Sequence, residues 1–444
     1  MTNRRKKIAW KAGASRHFLL SQTDIRRVED LPEYGADRAR NALLAAFPDV
    51  GCGQRLRQEA IERLNDCDRF GVIVLRPDEA PAADGAAPDA DTLAPIAERL
   101  EAACRRAGAF WGIEDTGLLA GYWPNRAAAE CVELARILQD EIRTQTGSTV
   151  TAGIAVYPCL DYPRQQALEN ARKAIDHAVF FGPGSRVAFD AVSLNISGDK
   201  YYERGDIASA IREFEHALTL DGGNVNVLNS LGVCYAVLGD HERALEQFSA
   251  ALRLEPGEYM AVYNIGLIHA LLGRRETALG FFLTANALRD DVFEILVQTG
   301  KLYLEMGQPK AARPFLEHAS RLRAKSGNAY RLLGDCYAAV GLPEKAVGAY
   351  QRAVKANPAD SMALSALGCL FGEKGENPEI AMVFCKESVR LAPDNALFRR
   401  RLGALYVKLN RLEQALEEFE QAGRLGQDAA EDIRRVRERM EGRN

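Results

Sequence analysis

The 444-residue chain lacks several features that would assign a function directly. No apolar run reaches the roughly 18 residues of a membrane-spanning helix, so we expect no membrane span. None of the nine cysteines forms a CxxC pair, and the six histidines are dispersed, which argues against a metal site. The sequence also has no HExxH motif, no Ser/His/Asp set and no phosphate loop. We therefore expect no catalytic residues, metal or cofactor.

The composition describes an ordinary folded chain. Hydrophobic residues make up 47% and charged residues 27%, and the net charge of −4 argues against nucleic-acid binding. An odd number of cysteines, several of them in apolar helical stretches, fits a reducing compartment. The basic start, Arg4 to Lys7, is not followed by an apolar signal core. These features predict a cytoplasmic protein.

The second half of the chain contains a repeat. A glycine recurs at intervals of 34 residues, and the last interval is 35: Gly198, Gly232, Gly266, Gly300, Gly334, Gly368 and Gly403. Three residues later comes a ring: Tyr201, Tyr235, His269, Tyr303, Tyr337, Phe371 and Tyr406. Seven residues after the first glycine six repeats have a second glycine, and the seventh has Asn410. Alanine then recurs twelve residues after the first glycine, and Phe, Leu or Tyr sixteen after it.

This spacing predicts pairs of helices. Small residues at the crossing let helices A and B approach closely, the large side chains fill the space between them, and the second glycine ends helix A. The pattern resembles the tetratricopeptide repeat family over seven units, residues 191–429, which implies an all-α superhelix. One residue inserted near Asn377-Pro378 predicts an irregular sixth repeat. Residues 430–444 are expected to form a capping helix and tail.

The tetratricopeptide resemblance also implies a binding groove lined by the A helices. Its apolar middle and more cationic later part would suit a protein or peptide partner with an apolar patch and an acidic end. The groove residues implied by the family positions are Asn195, Asn229, Val233, Tyr263, Leu267, Lys301, Arg331, Asp335 and Arg400.

Residues 70–190 have a different pattern. The order is strand (70–75), helix (93–107), hairpin (108–113 and 118–123), helix (126–144), strand (149–157), helix (164–180) and strand (186–189). This order predicts an α+β domain with helices packed on an antiparallel or mixed sheet. Residues 1–69 form a less defined segment, with short strands at 7–10 and 18–22 and helices at 34–47 and 56–67.

A second resemblance covers about 120 residues of this domain. The segment 151–158 (TAGIAVYP) is similar to the S-x-G-x-A strand of the GGDEF, or diguanylate cyclase, family. The segment 170–175 (NARKAI), followed by Gly182 and Val187, is similar to the family's A-D-x-A-L-Y…G-x-N-x-V element. The first long helix at 93–100 is also similar. The resemblance implies a nucleotide-cyclase-like fold.

The residues for cyclase chemistry are changed. The family holds two Mg²⁺ ions with carboxylates, one at the end of the first strand and one in the hairpin. Here the strand ends in Arg76-Pro77-Asp78, and the hairpin keeps only Glu114 and Asp115 in one of two registers. We therefore expect a non-catalytic relative in which Asp78, Glu114 and Asp115 mark a vestigial nucleotide and metal site.

The combined prediction is a scaffold or adaptor of bacterial signalling. Its repeats would bind a protein or peptide, and the cyclase-like domain would regulate it or form a homodimer. Two alternatives stay open. One is an active diguanylate cyclase that uses Mg²⁺ and GTP at an atypical metal site. The other is a receptor that binds GTP or a cyclic dinucleotide without turnover.

Overall fold

The computed structural model describes residues 36–78, 90–114, 118–375 and 377–442. The expected strands near residues 7 and 18, and Asp115 of the hairpin, lie outside these residues. The chain divides into two compact units, residues 1–264 and 265–444, with the boundary inside a helix of the third repeat. The first unit contains a sheet domain and the first two repeats, and the second contains the later repeats.

The sheet domain alternates helices and strands in the expected order. Its helices are α1 (Ala36–Ala46), α2 (Gln54–Leu64), α3 (Ala90–Ala107), α4 (Ala128–Thr146) and α5 (Gln166–Ala178), which continues as a 3₁₀ turn, Val179–Phe181. Its strands are β1 (Gly51–Cys52), β2 (Phe70–Pro77), β3 (Phe110–Ile113), β4 (Leu119–Pro124), β5 (Val150–Tyr157) and β6 (Arg186–Ala188). Every element predicted between residues 70 and 190 is confirmed, with ends shifted by a few residues.

The six strands form one mixed sheet in the order β1-β3-β4-β2-β5-β6. The central strand β2 pairs antiparallel with both β4 and β5, and β3 and β4 form the expected hairpin. The short edge strands β1 and β6 pair in parallel with β3 and β5. Because β1 extends this sheet, the described part of residues 1–69 packs with the sheet domain.

Both faces of the sheet are covered, which explains the continuous apolar run in β2. On one face Ile73 and Leu75 pack with α1, α3 and α4 around Trp111 and Trp123. On the other face Val72 and Val74 pack with α2 and α5. The domain therefore has three layers, with helices on both sides of a mixed sheet.

Every element that the structure describes after residue 190 is a helix. The A and B helices of the seven repeats are α6 (Ala191–Glu203) and α7 (Ile207–Leu220), α8 (Val225–Val237) and α9 (His241–Leu254), α10 (Tyr259–Leu271) and α11 (Arg275–Leu288), α12 (Phe293–Glu305) and α13 (Pro309–Leu322), α14 (Gly327–Ala339) and α15 (Pro343–Ala356), α16 (Ser361–Lys374) and α17 (Pro378–Leu391), and α18 (Ala396–Lys408) and α19 (Leu412–Arg424). The capping helix is α20 (Ala430–Glu441).

The repeat residues act as their spacing predicts. In the fifth repeat Gly334 of helix A lies against the ring of Tyr350 on helix B, where a β-carbon would come within 2.6 Å of the ring. At the end of α18 Asn410 takes the left-handed conformation, with φ 61°, that glycine has in the other repeats. The expected irregularity in repeat six is confirmed, since α16 has 14 residues whereas the other A helices have 13.

The sheet domain and the first repeat are joined by polar contacts inside the first unit. Lys173 of α5 forms an ion pair with Glu213 of α7 at 2.7 Å, and both side chains are buried. Asp190 follows β6 and caps α6 by accepting a hydrogen bond from the Ser193 backbone N–H at 2.9 Å. Lys200 of α6 also pairs with Asp176 of α5 at 2.6 Å, so both helices of the first repeat contact α5.

Candidate functional site

Asp78, which the sequence predicts at a vestigial metal site, forms hydrogen bonds with other residues of the sheet domain. Its Oδ1 accepts a hydrogen bond from the Thr151 hydroxyl, and its Oδ2 accepts one from the Gly184 backbone N–H at 2.6 Å. The Asp78 backbone N–H donates to the Thr149 carbonyl at 3.0 Å. The carboxylate therefore ties the end of β2 to β5 and to the loop before β6.

Glu114 directly follows β3 and is buried, with 1% of its surface exposed. Its Oε1 lies 3.7 Å from a guanidinium nitrogen of Arg57 and 3.6 Å from one of Arg172. Burying a carboxylate requires this kind of compensation. Burial, and next the charge of Glu114, raise the pKa of Tyr122, so the Tyr122 phenol stays neutral.

The structure gives Asp78 and Glu114 separate partners, and Asp115 lies outside the described residues. Within the described ranges no group of three or more His, Cys, Asp or Glu side chains is arranged to hold a metal ion. Arg57 and Arg172, which the sequence did not single out, are the residues that neutralise Glu114. Their positive charge was the only sequence feature that pointed to this role. Both arginines are far from Glu114 in the chain, so no motif spacing links them to it.

The predicted groove residues of the first unit are largely buried. Asn195, Asn229, Val233 and Tyr263 each have 5% or less of their surface exposed. Asn229 accepts a hydrogen bond from the amide of Asn264 at 3.0 Å. These side chains therefore contribute to the packing between helices. In the second unit Leu267 is half-buried.

Charged groove residues of the second unit lie at the surface but are mostly paired. Lys301, which is exposed, lies 3.6 Å from Glu305. Arg331 lies 3.2 Å from Asp335 and 3.7 Å from Asp360.

Asp335 of α14 is also bonded to helix B of its own repeat. It accepts a hydrogen bond from the Tyr350 hydroxyl at 2.7 Å. Burial raises the pKa of Asp335, although Tyr350 and Arg331 act in the opposite direction. The Arg331–Asp335 pair is therefore part of a partly buried polar network.

Arg400 and its neighbour Arg401 have different environments. Arg400 forms an ion pair with Asp432 of α20 at 2.7 Å. Arg401, at a position that the family groove pattern does not include, donates to the Ser365 hydroxyl at 3.1 Å. The sequence signal was the run Arg399-Arg400-Arg401, in which the helical spacing alone does not decide which arginine faces helix A of the preceding repeat.

Lys408 lies about two turns further along α18, where its Nζ donates to the Gly372 carbonyl at 3.1 Å. Arg401 and Lys408 thus both reach from α18 to α16 and bond to uncharged oxygens. Among the described residues neither has a carboxylate within ion-pair distance. Between them lies Cys369, whose pKa is raised by burial, with Glu373 adding to the effect.

In the described part of the chain, no helix has the length and apolar character needed to cross a membrane.

Comparison with known proteins bears on the helical region. A family model for the tetratricopeptide repeat matches residues 197–257, 236–291 and 297–361. A comparison with curated proteins gives no match.

Several solved structures are similar to part of the chain. PilF of Pseudomonas aeruginosa is 19% identical, covering 47% of this chain and 95% of its own, with a TM-score of 0.44. A tetratricopeptide repeat protein from Parabacteroides merdae is 19% identical, covering 55% and 96%, with a TM-score of 0.40. YrrB, described as a TPR protein with an unusual peptide-binding site, is 22% identical, covering 42% and 95%, with a TM-score of 0.38. The family model, together with the helix pairs, identifies residues 197–291 and 297–361 as tetratricopeptide repeats.

Proposed function

We propose that this protein is an interaction scaffold whose helical repeats bind a protein or peptide with an acidic segment. The binding site is the surface between the A helices of repeats six and seven, centred on Arg401 and Lys408. Stacked repeats present their A helices side by side, which creates an extended surface suited to a peptide.

The observation that supports this proposal is a set of two cations on α18 that have no carboxylate within ion-pair distance among the described residues. Arg401 and Lys408 donate to the uncharged Ser365 hydroxyl and Gly372 carbonyl, and the charge of Arg401 acts on the Asp335 carboxylate only from beyond ion-pair distance. The other cations of this surface differ, because Arg331 and Arg400 already have carboxylate partners. An incoming carboxylate therefore gains most beside Arg401 and Lys408.

Peptide binding tests the proposal directly. Two fluorescein-labelled peptides share the same apolar residues, and one carries Glu where the other carries Gln. We expect fluorescence anisotropy to show tighter binding of the Glu peptide, with an affinity that falls as salt is added. The double substitution Arg401→Gln with Lys408→Gln should weaken it by about tenfold or more, since a hydrogen bond to a charged group contributes about 1.5–3 kcal/mol.

The matched control is Arg321→Gln with Lys325→Gln, which removes the same charge from exposed positions at the end of α13 and after it. This variant should bind the Glu peptide like the unmodified chain. Equal affinity for the two peptides, or equal losses in both double variants, would exclude a specific site at Arg401 and Lys408.

For the sheet domain we propose a non-catalytic, regulatory role. The proposal is supported by Arg76 at the end of β2, by the internal bonding of Asp78, and by the two arginines that neutralise Glu114. Production of cyclic di-GMP from GTP and Mg²⁺ by the purified chain would contradict it. Homodimerisation and a place in bacterial signalling remain predictions of the family resemblance.

A further inference from the structure

A cleft of about 290 Å³ opens in the first unit, where the sheet domain meets the first repeat. One wall is formed by the end of β2, the residue before β4, and α5. The other wall is formed by α6, helix A of the first repeat. Its volume is at the lower end of the range of small-molecule sites, which start at about 300 Å³.

Cationic side chains dominate the lining, where five Lys or Arg residues accompany two carboxylates. Three of the cations are balanced by neighbours. Lys173 pairs with Glu213 at 2.7 Å, Lys200 pairs with Asp176 at 2.6 Å, and Arg172 lies 3.2 Å from Glu169. Because the two lining carboxylates are already engaged, they do not neutralise the rest of the cleft.

The remaining two cations are Arg76 and Arg204. Arg76 is half-buried at the end of β2, and Arg204 is exposed at the end of α6. Neither has a carboxylate within ion-pair distance in the described part of the chain. One guanidinium therefore comes from each wall of the cleft, and an anion between the walls would gain from both charges.

Tyr201 adds an uncharged donor to the same cleft. Burial raises the pKa of its phenol, and the charges of Glu213, Glu169 and Asp206 add to the effect. The phenol therefore keeps its proton at neutral pH and can donate a hydrogen bond to an oxyanion. Its ring also offers a flat surface on which a planar group can stack.

We propose that this cleft binds a small phosphate-bearing anion held between Arg76 and Arg204. Guanidinium groups match phosphate geometry because they donate two parallel hydrogen bonds to its oxygens. A phosphate group also carries more negative charge than a carboxylate, which suits a cleft with two uncompensated cations. The ligand would contact both the sheet domain and the first repeat.

Isothermal titration calorimetry of the full chain tests this site with inorganic phosphate, inorganic pyrophosphate and ADP at constant ionic strength. We expect saturable binding of at least one probe. The substitutions Arg204→Gln and Arg76→Gln should each weaken that binding by about tenfold or more, whereas Arg212→Gln should leave it unchanged. Arg212 is an exposed arginine on α7 outside the cleft.

The three probes separate the sources of phosphate. Tightest binding of inorganic phosphate identifies free phosphate as the ligand, whereas tighter binding of ADP than of pyrophosphate identifies a phosphoester with a stacked base. Absence of heat with all three probes would overturn the proposal, as would equal losses in Arg204→Gln and Arg212→Gln.

Arg204 is exposed, so its replacement tests binding without a cost to folding, and a thermal melt of each variant verifies this. The cleft lies within residues 76–204 and the proposed peptide site within residues 365–408. Loss of one binding activity therefore leaves the other measurable.

Discussion

At the scale of single residues, the buried ion pair of Lys173 and Glu213 joins α5 of the sheet domain to α7 of the first repeat. Only 4% of the Lys173 side chain and 12% of the Glu213 side chain are exposed. The Lys173 ammonium also lies 5.7 Å from the centroid of the Tyr162 ring. A charge in this environment depends on its partner, because the solvation it has lost must be replaced.

We expect Lys173→Met to lower the free energy of unfolding of the first unit by about 3–5 kcal/mol, because it leaves the Glu213 carboxylate buried without its cation. Urea denaturation followed by tryptophan fluorescence measures this. The three tryptophans are Trp10, Trp111 and Trp123, so the signal reports the N-terminal half.

The double variant Lys173→Met with Glu213→Leu is the control, since it removes both charges and keeps similar volume. It should recover most of the lost stability. If the single variant unfolds at the same urea concentration as the unmodified chain, the pair contributes nothing. If the double variant is no more stable than the single one, packing and not charge is responsible.

The burial and the partners of single site residues were the hardest features to predict from the sequence. The family pattern placed Asn229, Val233 and Tyr263 on the A-helix face, yet all three are buried. Whether a position on that face is open depends on side chains of neighbouring helices, which a single repeat does not specify. Glu114 is similar, because its neutralisation by Arg57 and Arg172 joins residues far apart in the chain.

At the scale of elements, each repeat is held together where helix A crosses helix B. Gly334 on α14 and Gly348 on α15 belong to the same repeat but have opposite surroundings. A β-carbon on Gly334 would come within 2.6 Å of the Tyr350 ring, whereas one on Gly348 would meet nothing within 4 Å. The same substitution at these two glycines therefore compares a packed position with an open one in the same repeat.

We expect Gly334→Ala to destabilise the second unit by about 1–3 kcal/mol, because the added methyl group separates two packed helices. Gly348→Ala should stabilise it by about 0.5–1 kcal/mol, because alanine has the higher helix propensity. Urea denaturation followed by far-ultraviolet circular dichroism measures both variants. An equal effect of the two substitutions would mean that helix propensity, and not the crossing, determines their stability.

Helices and strands could be predicted from the sequence where a pattern of nearby residues indicates them. The 34-residue period located all seven helix pairs, and the extra residue near Asn377 located the longer α16. The strands were found by their apolar runs, but the order of the strands was not. That order depends on β2 pairing with both β4 and β5, which are separated from it by helices in the sequence.

At the scale of the whole molecule, the repeats of the second unit form a linear series in which each pair contacts its neighbours. Such a series needs a cap, because the last repeat would otherwise expose its apolar face. Helix α20 supplies this cap. Ala429 and Val436 are buried against Leu412, Ala415 and Phe419 of the last repeat.

Two ion pairs hold the outer side of the cap. Arg400 lies 2.7 Å from Asp432, and Arg437 lies 2.8 Å from Glu420. Arg437 and Glu420 are both more than one-third exposed, so this pair contributes little to stability. Apolar burial contributes more, because Val436 has 1% of its surface exposed and Ile433 and Met440 of α20 pack against the same cluster.

We expect a chain ending at Gln427 to fold with a loosened last repeat. Without α20, hydrogen exchange measured by mass spectrometry should become faster in α18 and α19, while α14 and α15 change much less, because stability in a linear series depends mainly on nearest neighbours. The substitution Arg435→Ala is the control. Arg435 is exposed and pairs only with Glu431 of its own helix among the described residues, so its loss should change exchange little. Faster exchange spread evenly over α12 to α19 would instead mean that the repeats of the second unit unfold together, and that α20 stabilises all of them at once.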